Sequence, residues 1–185
     1  MPPPRSKSGN YLSGRIRSIV CSEVRHLSLD KPHIQRGGVI VYTRYIGQLY
    51  FALGVDSGTG ELTDFGGGIS YRRDANAVTG SLREFHEETL GVFGIHTEAQ
   101  VQSCLCIHDG CTLIIFLYLD VRPFSEAEAF SRACAAATRP EVTSVSWMQL
   151  SQLKRLIKRN RSCLYARIRS LLRAAGNFYP LLQCY

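Results

Sequence analysis

Residues 66–91 read GGGISYRRDANAVTGSLREFHEETLG, and this stretch carries the clearest pattern in the chain. Three consecutive glycines lead into a segment in which one arginine and three glutamates fall within six positions. The pattern predicts a helix over roughly residues 76–90, and at about 100° per residue the charged side chains share one face. These charged residues are Arg83, Glu84, Glu87 and Glu88. The opposite face is predicted to pack against a sheet and carries Val78, Leu82, Phe85 and Thr89.

The acidic face carries more negative charge than its single arginine can balance. Glu84 and Glu88 lie at i and i+4, and Glu87 is adjacent to Glu88, so the carboxylates repel one another. A magnesium or manganese ion, which prefers carboxylate oxygens, would offset this repulsion. Gly80 falls on the same face, where its missing side chain leaves room for another group to approach. We therefore expect a metal site; the alternative is a solvated helix face with an Arg83–Glu87 ion pair.

This segment resembles the signature of the Nudix hydrolase family. The signature consists of Gly, five residues, Glu, seven residues, Arg-Glu, an apolar residue, any residue, Glu-Glu, any residue and Gly. Here Gly68 begins it, Asp74 takes the first acidic position, and residues 83–88 (REFHEE) fill its core. The chain departs from the signature because Asp74 replaces Glu, eight residues separate it from Arg83, and Gly91 comes one position late.

The resemblance implies a metal-dependent pyrophosphohydrolase that cleaves a nucleoside diphosphate linked to some other group. On the family's pattern the catalytic residues are Arg83, Glu84, Glu88 and Glu141. The expected ligands of Mg²⁺ or Mn²⁺ are Glu84, Glu87, Glu88, Glu141 and the carbonyl oxygen of Gly67. Glu84 or a neighbour is expected to help activate water, and Arg83 to orient the glutamates. Glu141 has an alternative role as a surface glutamate that opens a strand.

The segments on either side of this signature predict the strands of a mixed sheet. Residues 37–44 (GGVIVYTR) and 48–56 (QLYFALGVD) are rich in β-branched and aromatic residues and read as paired strands. Two further apolar runs flank Asp109-Gly110, which is a strong hairpin signal. Strands alternating with helices indicate an α/β fold, an α/β/α sandwich with a mixed sheet, which is also what the Nudix resemblance implies.

The second half of the chain predicts a helix, a last strand and a basic helical appendage. Residues 125–138 are expected to be helical with Ser125 as the N-cap, and residues 141–150 to form the last strand. The resemblance extends over roughly residues 35–155. We expect a flexible basic tail (1–18), a Nudix hydrolase domain (19–155) and a basic helical extension packed on that domain (156–185).

Residues 151–175 contain eight basic side chains and no acidic one. Removing these charges from the net charge of +7 leaves −1 on the other 160 residues, so the basic character is local. If the segment is one helix, seven of the eight cations fall within a ~160° arc opposite an apolar face; two helices broken near Asn160 are the alternative. The apolar face comprises Leu153, Ile157, Leu164, Ile168 and Leu171. The cations expected to contact RNA phosphates are Lys154, Arg155, Lys158, Arg159 and Arg161.

A local polycation beside a metal site favours capped messenger RNA as the substrate, and hence a decapping activity. The glycine-rich lead-in and the basic appendage also resemble, more weakly, the Nudix decapping enzymes of large DNA viruses. The basic face has two other interpretations, a solvated surface or a helix at a membrane surface. Two other functions stay open: a housecleaning hydrolase of small nucleotides (NTP, dinucleoside polyphosphate, ADP-ribose), and a non-catalytic Nudix module that binds RNA or protein.

Cysteine usage and hydropathy bear on the compartment. The seven cysteines form no Cys-x-x-Cys pair and lie mostly in apolar runs, which indicates buried free thiols and no zinc site. No apolar run is long enough to span a bilayer, and the first residues lack the apolar stretch of a signal peptide. We therefore expect a cytoplasmic protein in a reducing compartment.

Overall fold

The computed structural model of the chain describes residues 18–28 and 33–182. In these ranges eight strands form one sheet and four α-helices cover it. The strands are β1 (Val20–Glu23), β2 (Arg36–Tyr45), β3 (Gln48–Asp56), β4 (Leu62–Thr63), β5 (Phe65–Gly68), β6 (Leu105–His108), β7 (Thr112–Tyr118) and β8 (Val142–Gln149). The helices are α1 (Ala77–Glu88), α2 (Pro123–Ala136), α3 (Leu150–Lys158) and α4 (Ala166–Ala175). Short 3₁₀ turns occupy Val24–His26, Glu98–Val101 and Tyr179–Leu181.

The sheet is mixed, as predicted, because it contains both parallel and antiparallel strand pairs. The strands follow the order β1-β6-β7-β2-β3-β4, with β5 paired to β2 and β8 paired to β3. Within the described ranges β2 runs parallel to β7, and the other pairs are antiparallel. The predicted pairing of residues 37–44 with 48–56 is confirmed by the β2–β3 ladder. The hairpin predicted at Asp109-Gly110 is also confirmed, since β6 and β7 pair across it and Gly110 has a φ of 82°.

Two apolar cores lie on opposite faces of the sheet. Along β2, whose side chains alternate between the faces, Val41 belongs to one core and Tyr42 to the other. Helices α1 and α2 close the first core through residues such as Phe85 and Phe130, and α3 and α4 close the second through residues such as Ile168. Burying a side chain of this size stabilises the fold by about 1.5–3 kcal/mol. The predicted α/β/α sandwich is thereby confirmed.

Helix α1 forms where the sequence predicts it because both of its ends carry specific signals. Asn76 is the N-cap, and its side-chain oxygen accepts the N–H groups of Val78 and Thr79 at 2.9 and 3.0 Å. The Thr79 hydroxyl accepts the Asn76 N–H at 3.1 Å, which completes a capping box; such a cap contributes about 1 kcal/mol. Beyond the helix, Leu90 and Gly91 both have positive φ, which ends the helical path. The face predicted to be buried is buried, and comprises Val78, Leu82, Phe85 and Thr89.

Helix α2 begins earlier than predicted, and Ser125 is not its N-cap. The helix starts at Pro123, and its N-cap is Arg122, whose side chain makes no capping hydrogen bond. Proline fixes φ near the helical value and lacks the N–H that a first turn leaves unpaired, so Pro123 is itself the start signal. The predicted last strand is confirmed as β8, which is one residue shorter than residues 141–150 at each end.

The basic segment folds as two helices, so the predicted single-helix arc of seven cations is wrong and the two-helix alternative holds. The chain between α3 and α4 pairs with β4. The Leu62 N–H donates to the Cys163 carbonyl at 2.7 Å, and the Tyr165 N–H donates to the Leu62 carbonyl at 2.8 Å. This pairing uses backbone groups that a continuous helix would need for itself. The predicted apolar face is buried as expected, and comprises Leu153, Ile157, Leu164, Ile168 and Leu171.

The described ranges leave out most of the predicted N-terminal tail. Of residues 1–18 only Ser18 is described, and Cys184 also lies outside the described residues. The cysteines inside the described ranges are free thiols. No helix in those ranges is long and apolar enough to cross a bilayer.

Candidate active site

The four glutamates predicted as metal ligands line one cleft of about 200 Å³. One wall is the polar face of α1, and the other is the segment of residues 137–141 that leads into β8. This segment reaches the cleft because β8 pairs with β3 and because the Ser57 N–H donates to the carbonyl of residue 141 at 2.8 Å. Residues far apart in the sequence are thereby brought together. The glutamates of the cleft are Glu84, Glu87, Glu88 and Glu141.

Arg83 is fully engaged by protein groups and orients the acidic face. Its Nε and Nη2 donate to the two carboxylate oxygens of Asp74 at 2.8 and 3.0 Å. Its Nη1 donates to Glu84 at 2.8 Å and to Glu87 at 3.2 Å, and Nη2 donates to the Gly68 carbonyl at 3.1 Å. The Arg83 guanidinium holds the pKa of the Asp74 carboxyl below its usual value. These hydrogen bonds use all the donors that a guanidinium has, so Arg83 positions carboxylates and has none left for substrate.

Two glycines give the acidic side chains the space they occupy. A side chain at Gly80 would collide with the loop before α1, since its Cβ would fall 2.7 Å from Cδ1 of Ile69 and 2.9 Å from Oδ2 of Asp74. The groups that approach Gly80 are therefore side chains of the protein itself. A Cβ on Gly67 would overlap the Glu84 carboxylate in the same way. The predicted carbonyl ligand, Gly67, thus lies directly beside Glu84.

Sequence reasoning missed a second arginine–carboxylate pair next to the cleft. Arg36 donates from both terminal nitrogens to Asp64 at 2.8 and 2.7 Å, and Asp64 is completely buried. Arg36 also donates to the Gly66 carbonyl at 2.9 Å, and the Gly66 N–H donates to Glu88 at 2.6 Å. A side chain at Gly38 would overlap the Asp64 carboxylate. The pair depends on the β2–β5 register, in which Gly38 faces Gly66, and no local pattern in the sequence indicates it.

Glu88 has the most strongly shifted pKa among the acids of the cleft. Burial raises the pKa of its carboxyl to about 8, and the negative charges of Asp64 and Glu141 add to the rise. The Gly66 N–H and the Arg36 charge act in the opposite direction. Such surroundings favour the neutral carboxyl unless further positive charge is supplied. The electrostatics of the cleft therefore favour a cationic ligand.

The donor set of the cleft fits a hard divalent cation, because its four carboxylates are the ligands that Mg²⁺ and Mn²⁺ prefer. The carboxylates of the cleft do not converge, however: within the described residues, no three Asp, Glu, His or Cys side chains gather around one point. Glu84 and Glu87 face Arg83, and Glu88 accepts the Gly66 N–H. The four glutamates among the predicted ligands thus line one cleft, and metal binding itself stays a prediction.

The residues predicted to bind RNA lie on α3 and on the turn that follows it. Arg155 and Arg159 line a groove of about 290 Å³ together with Trp147 of β8, a strand that pairs with β3 alone among the described strands. Lys154 is half-buried, with its Nζ 4.8 Å from the centre of the Tyr179 ring. The exposed cations are Arg155, Lys158, Arg159 and Arg161.

Two of the eight cations counted in the sequence hold the helix pair together. Arg173 donates to the Ile157 carbonyl at 2.9 and 2.6 Å and to the Arg159 carbonyl at 3.0 Å. Arg169 donates to the Leu164 carbonyl at 3.1 Å. These carbonyls lie at the end of α3 and in the connecting turn, where no helical partner is available. The surface open to a polyanion is therefore smaller than the sequence predicts.

No family model matches the chain, and no curated protein matches it. Among solved structures it is similar to a C. elegans Ap4A hydrolase, with 16% identity over 79% of this chain and 98% of that chain and a TM-score of 0.45. It is also similar to the NUDIX domain of Shewanella oneidensis NrtR complexed with ADP ribose, with 14% identity over 80% of this chain and 90% of that chain and a TM-score of 0.46. The similarity is one of backbone fold, and the function is inferred from the residues of the cleft.

Proposed function

We propose that this protein is a metal-dependent hydrolase of the Nudix type, which cleaves a phosphoanhydride in a substrate that contains a nucleoside diphosphate. The observation that carries the proposal is the single cleft to which α1 and the segment before β8 contribute four glutamates. Behind this cleft, Arg83 is paired with Asp74 and Arg36 with Asp64, and both arginine–carboxylate pairs are largely withdrawn from water. A solvated helix face needs no such support, because exposed glutamates can turn toward water.

The reaction explains why acidic residues line a site for a negatively charged substrate. Attack at phosphorus places additional negative charge on phosphate oxygens, which must be stabilised. Mg²⁺ or Mn²⁺ would supply the positive charge and lower the pKa of the attacking water. The proposed ligands are Glu84, Glu87, Glu88, Glu141 and the carbonyl oxygen of Gly67. Arg83 and Arg36 act through these groups, since Arg83 orients Glu84 and Arg36 fixes the Gly66 backbone whose N–H binds Glu88.

Within this proposal, capped messenger RNA is the substrate. The position of the basic groove supports this choice of substrate. The groove at Arg155 and Arg159 includes Ser146, which is on the same strand that begins beside Glu141. Their separation of five positions corresponds to about 17 Å along a strand. An RNA with its 5′ end in the cleft could therefore lay its phosphates along Arg155 and Arg159.

A housecleaning hydrolase of small nucleotides is the second candidate. The observation that favours it is the internal use of Arg169 and Arg173, which reduces the basic surface left for RNA. A small nucleotide needs only the cleft and no basic groove. A third possibility, a non-catalytic module that binds RNA, needs no metal and so gives no reason for four glutamates to line one cleft.

The test is a panel of substrates incubated with the protein and Mg²⁺. The panel contains capped RNA, cap analogue, ADP-ribose, diadenosine polyphosphates and nucleoside triphosphates, with products identified by mass. We expect capped RNA to be cleaved, with release of a nucleoside diphosphate, faster than any of the small nucleotides is cleaved. Faster cleavage of a small nucleotide would replace decapping with the housecleaning function, and no cleavage of any member would overturn the proposed function.

A matched pair of double variants tests the role of the basic groove. Changing Arg155 and Arg159 to Ser should weaken binding of capped RNA by ~10-fold or more at moderate salt and reduce the salt slope by about two units. The control changes Arg44 and Arg132 to Ser, which removes the same charge from exposed positions outside the groove. Hydrolysis of a small nucleotide should be unchanged in both. Equal losses in the two double variants would show that only net charge matters.

A further inference from the structure

The wall of the cleft opposite α1 carries a residue that the proposed function leaves unused. Residues 137–141 connect α2 to β8 and line the cleft together with the glutamates of α1. Among the described residues that line the cleft, Arg139 is the only positively charged one. It belongs to a loop whose other members are small or apolar, apart from Thr138 and Glu141 at its end.

The guanidinium of Arg139 makes no hydrogen bond or ion pair within the part of the chain that the structure describes, although it shares the cleft with carboxylates. By contrast, every donor of Arg83 is engaged, and Arg36 is bound to Asp64 and Gly66. An arginine that only balanced the acidic cleft would pair with a glutamate, as Arg83 does. Of these three arginines, Arg139 is therefore the one whose donors are available to a ligand.

The backbone at Arg139 has an uncommon conformation. Its φ is 56°, in the left-handed region that non-glycine residues seldom adopt. The next residue is Pro140, and a residue before proline is further restricted toward extended conformations. The loop is held in place because α2 packs on β8 and because the Ser57 N–H donates to the Glu141 carbonyl at 2.8 Å. A strained residue that the surrounding fold maintains is typical of functional positions.

We propose that Arg139 binds the diphosphate group of the substrate from the wall that faces the glutamates of α1. This inference rests on the proposed function, because it identifies the group that the cleft recognises. A guanidinium is planar and can donate two parallel hydrogen bonds to two phosphate oxygens. Since carboxylates repel a polyanion, a cation on the opposite wall determines where the phosphates lie between the two walls. Arg139 is thus a substrate-binding residue, whereas Arg83 is a positioning residue.

Three variants test this assignment. Arg139→Gly removes the guanidinium and also relieves the positive φ, because glycine adopts this conformation readily. Arg139→Lys keeps the charge and the strain and loses the planar donor group. The matched control is Arg132→Ala, which removes one positive charge from an exposed position on α2 that does not line the cleft.

The measurement is calorimetric binding of imidodiphosphate, a diphosphate analogue with a nitrogen bridge that resists hydrolysis, in excess Mg²⁺. We expect the wild-type chain to bind it and Arg139→Gly to bind it ~10-fold or more weakly. The affinity of Arg139→Lys for imidodiphosphate should fall roughly threefold, and that of Arg132→Ala less than twofold. In the absence of ligand, Arg139→Gly should raise Tm by about 2–4 °C, because backbone strain is removed.

In the binding experiment, the inference would be overturned by absence of imidodiphosphate binding by the wild-type chain, or by equal binding by Arg139→Gly and Arg132→Ala. A lower Tm for Arg139→Gly would instead assign Arg139 a structural role. Hydrolysis of the substrate panel is measured in a separate experiment, so that failure of the proposed function can be distinguished from failure of the inference about Arg139. Arg139-dependent binding without hydrolysis of any panel substrate would remove the proposed function and keep the inference. Hydrolysis with the same KM in Arg139→Gly as in the wild type would remove the inference and keep the function.

Discussion

Helix α1 and the helix pair α3–α4 are both rich in charged residues, and both pack their apolar residues against the sheet. On α1, the arginine is fully engaged by its neighbouring glutamates and by Asp74. On α3–α4, Arg169 and Arg173 donate to backbone carbonyls, whereas the side chains of four exposed cations make no hydrogen bond within the described residues, namely Arg155, Lys158, Arg159 and Arg161. Charged side chains thus have different roles in α1 and in α3–α4. Which charges are available to a ligand depends on the partners that the fold provides, and variants in each region test this difference.

The largest effect is expected on α1, from Glu88→Gln. This change keeps the shape and removes a carboxylate charge from the cleft, so kcat should fall at least ~100-fold. Tm in metal-free buffer should stay the same or rise, because repulsion from Asp64 and Glu141 is removed. Glu128→Gln, at an exposed position on α2, is the control and should leave kcat unchanged. Activity of Glu88→Gln within about twofold of the wild type would show that Glu88 is not a ligand.

A smaller effect is expected from Arg83→Lys. Lysine lacks the planar donor group that pairs with Asp74 and holds Glu84 at the same time, so kcat should fall roughly 10-fold. KM should change by less than about twofold, because Arg83 has no donor left for substrate. Steady-state kinetics on the fastest substrate of the panel separates the two parameters. A raised KM with an unchanged kcat would mean that Arg83 contacts the substrate.

In the basic region, Arg173→Met should destabilise the protein by about 1–2 kcal/mol, because the carbonyls of Ile157 and Arg159 lose their donor. A loss of ~1 kcal/mol lowers Tm by about 2–4 °C in a chain of this size, so a thermal melt measures it. Arg155→Met removes the same charge from a side chain that makes no hydrogen bond within the described residues, and it should cost less than ~0.5 kcal/mol. Equal shifts in Tm would contradict the distinction between cations that bind backbone carbonyls and cations that do not.

The smallest effect is expected from Lys154→Met, which removes the contact between the ammonium group and the Tyr179 ring. Such contacts at partly exposed sites contribute about 0.5–1 kcal/mol. Lys154→Met should therefore lower Tm slightly and reduce RNA binding less than Arg155→Met does. If Lys154→Met weakens RNA binding as much as Arg155→Met, the RNA surface includes Lys154 and extends toward Tyr179.

Helix α1 could be predicted from the sequence because its signals are local. The capping residue Asn76, the apolar period and the spacing of the glutamates all lie within one short stretch. The β2–β3 pair and the hairpin at Gly110 could be predicted for the same reason. The prediction of Ser125 as the N-cap of α2 was wrong because Pro123 starts the helix earlier.

The features that could not be predicted depend on partners that are distant in the sequence. The Arg36–Asp64 pair requires the register of β2 against β5. The break between α3 and α4 requires Leu62 of β4, and the use of Arg173 requires α4 to fold back on the end of α3. The conformation of Arg139 likewise depends on the packing of α2 against β8. Composition and periodicity contain none of this information.

The central claim is that the glutamate cleft cleaves a phosphoanhydride with the help of a divalent metal. It is tested most directly by the rate of hydrolysis of the fastest panel substrate as Mg²⁺ or Mn²⁺ is titrated into protein stripped of metal with EDTA. We expect no turnover without metal, saturable turnover with it, and a curve that stays near zero for Glu88→Gln. Undiminished turnover in excess EDTA, or equal titration curves for the wild type and Glu88→Gln, would contradict the claim.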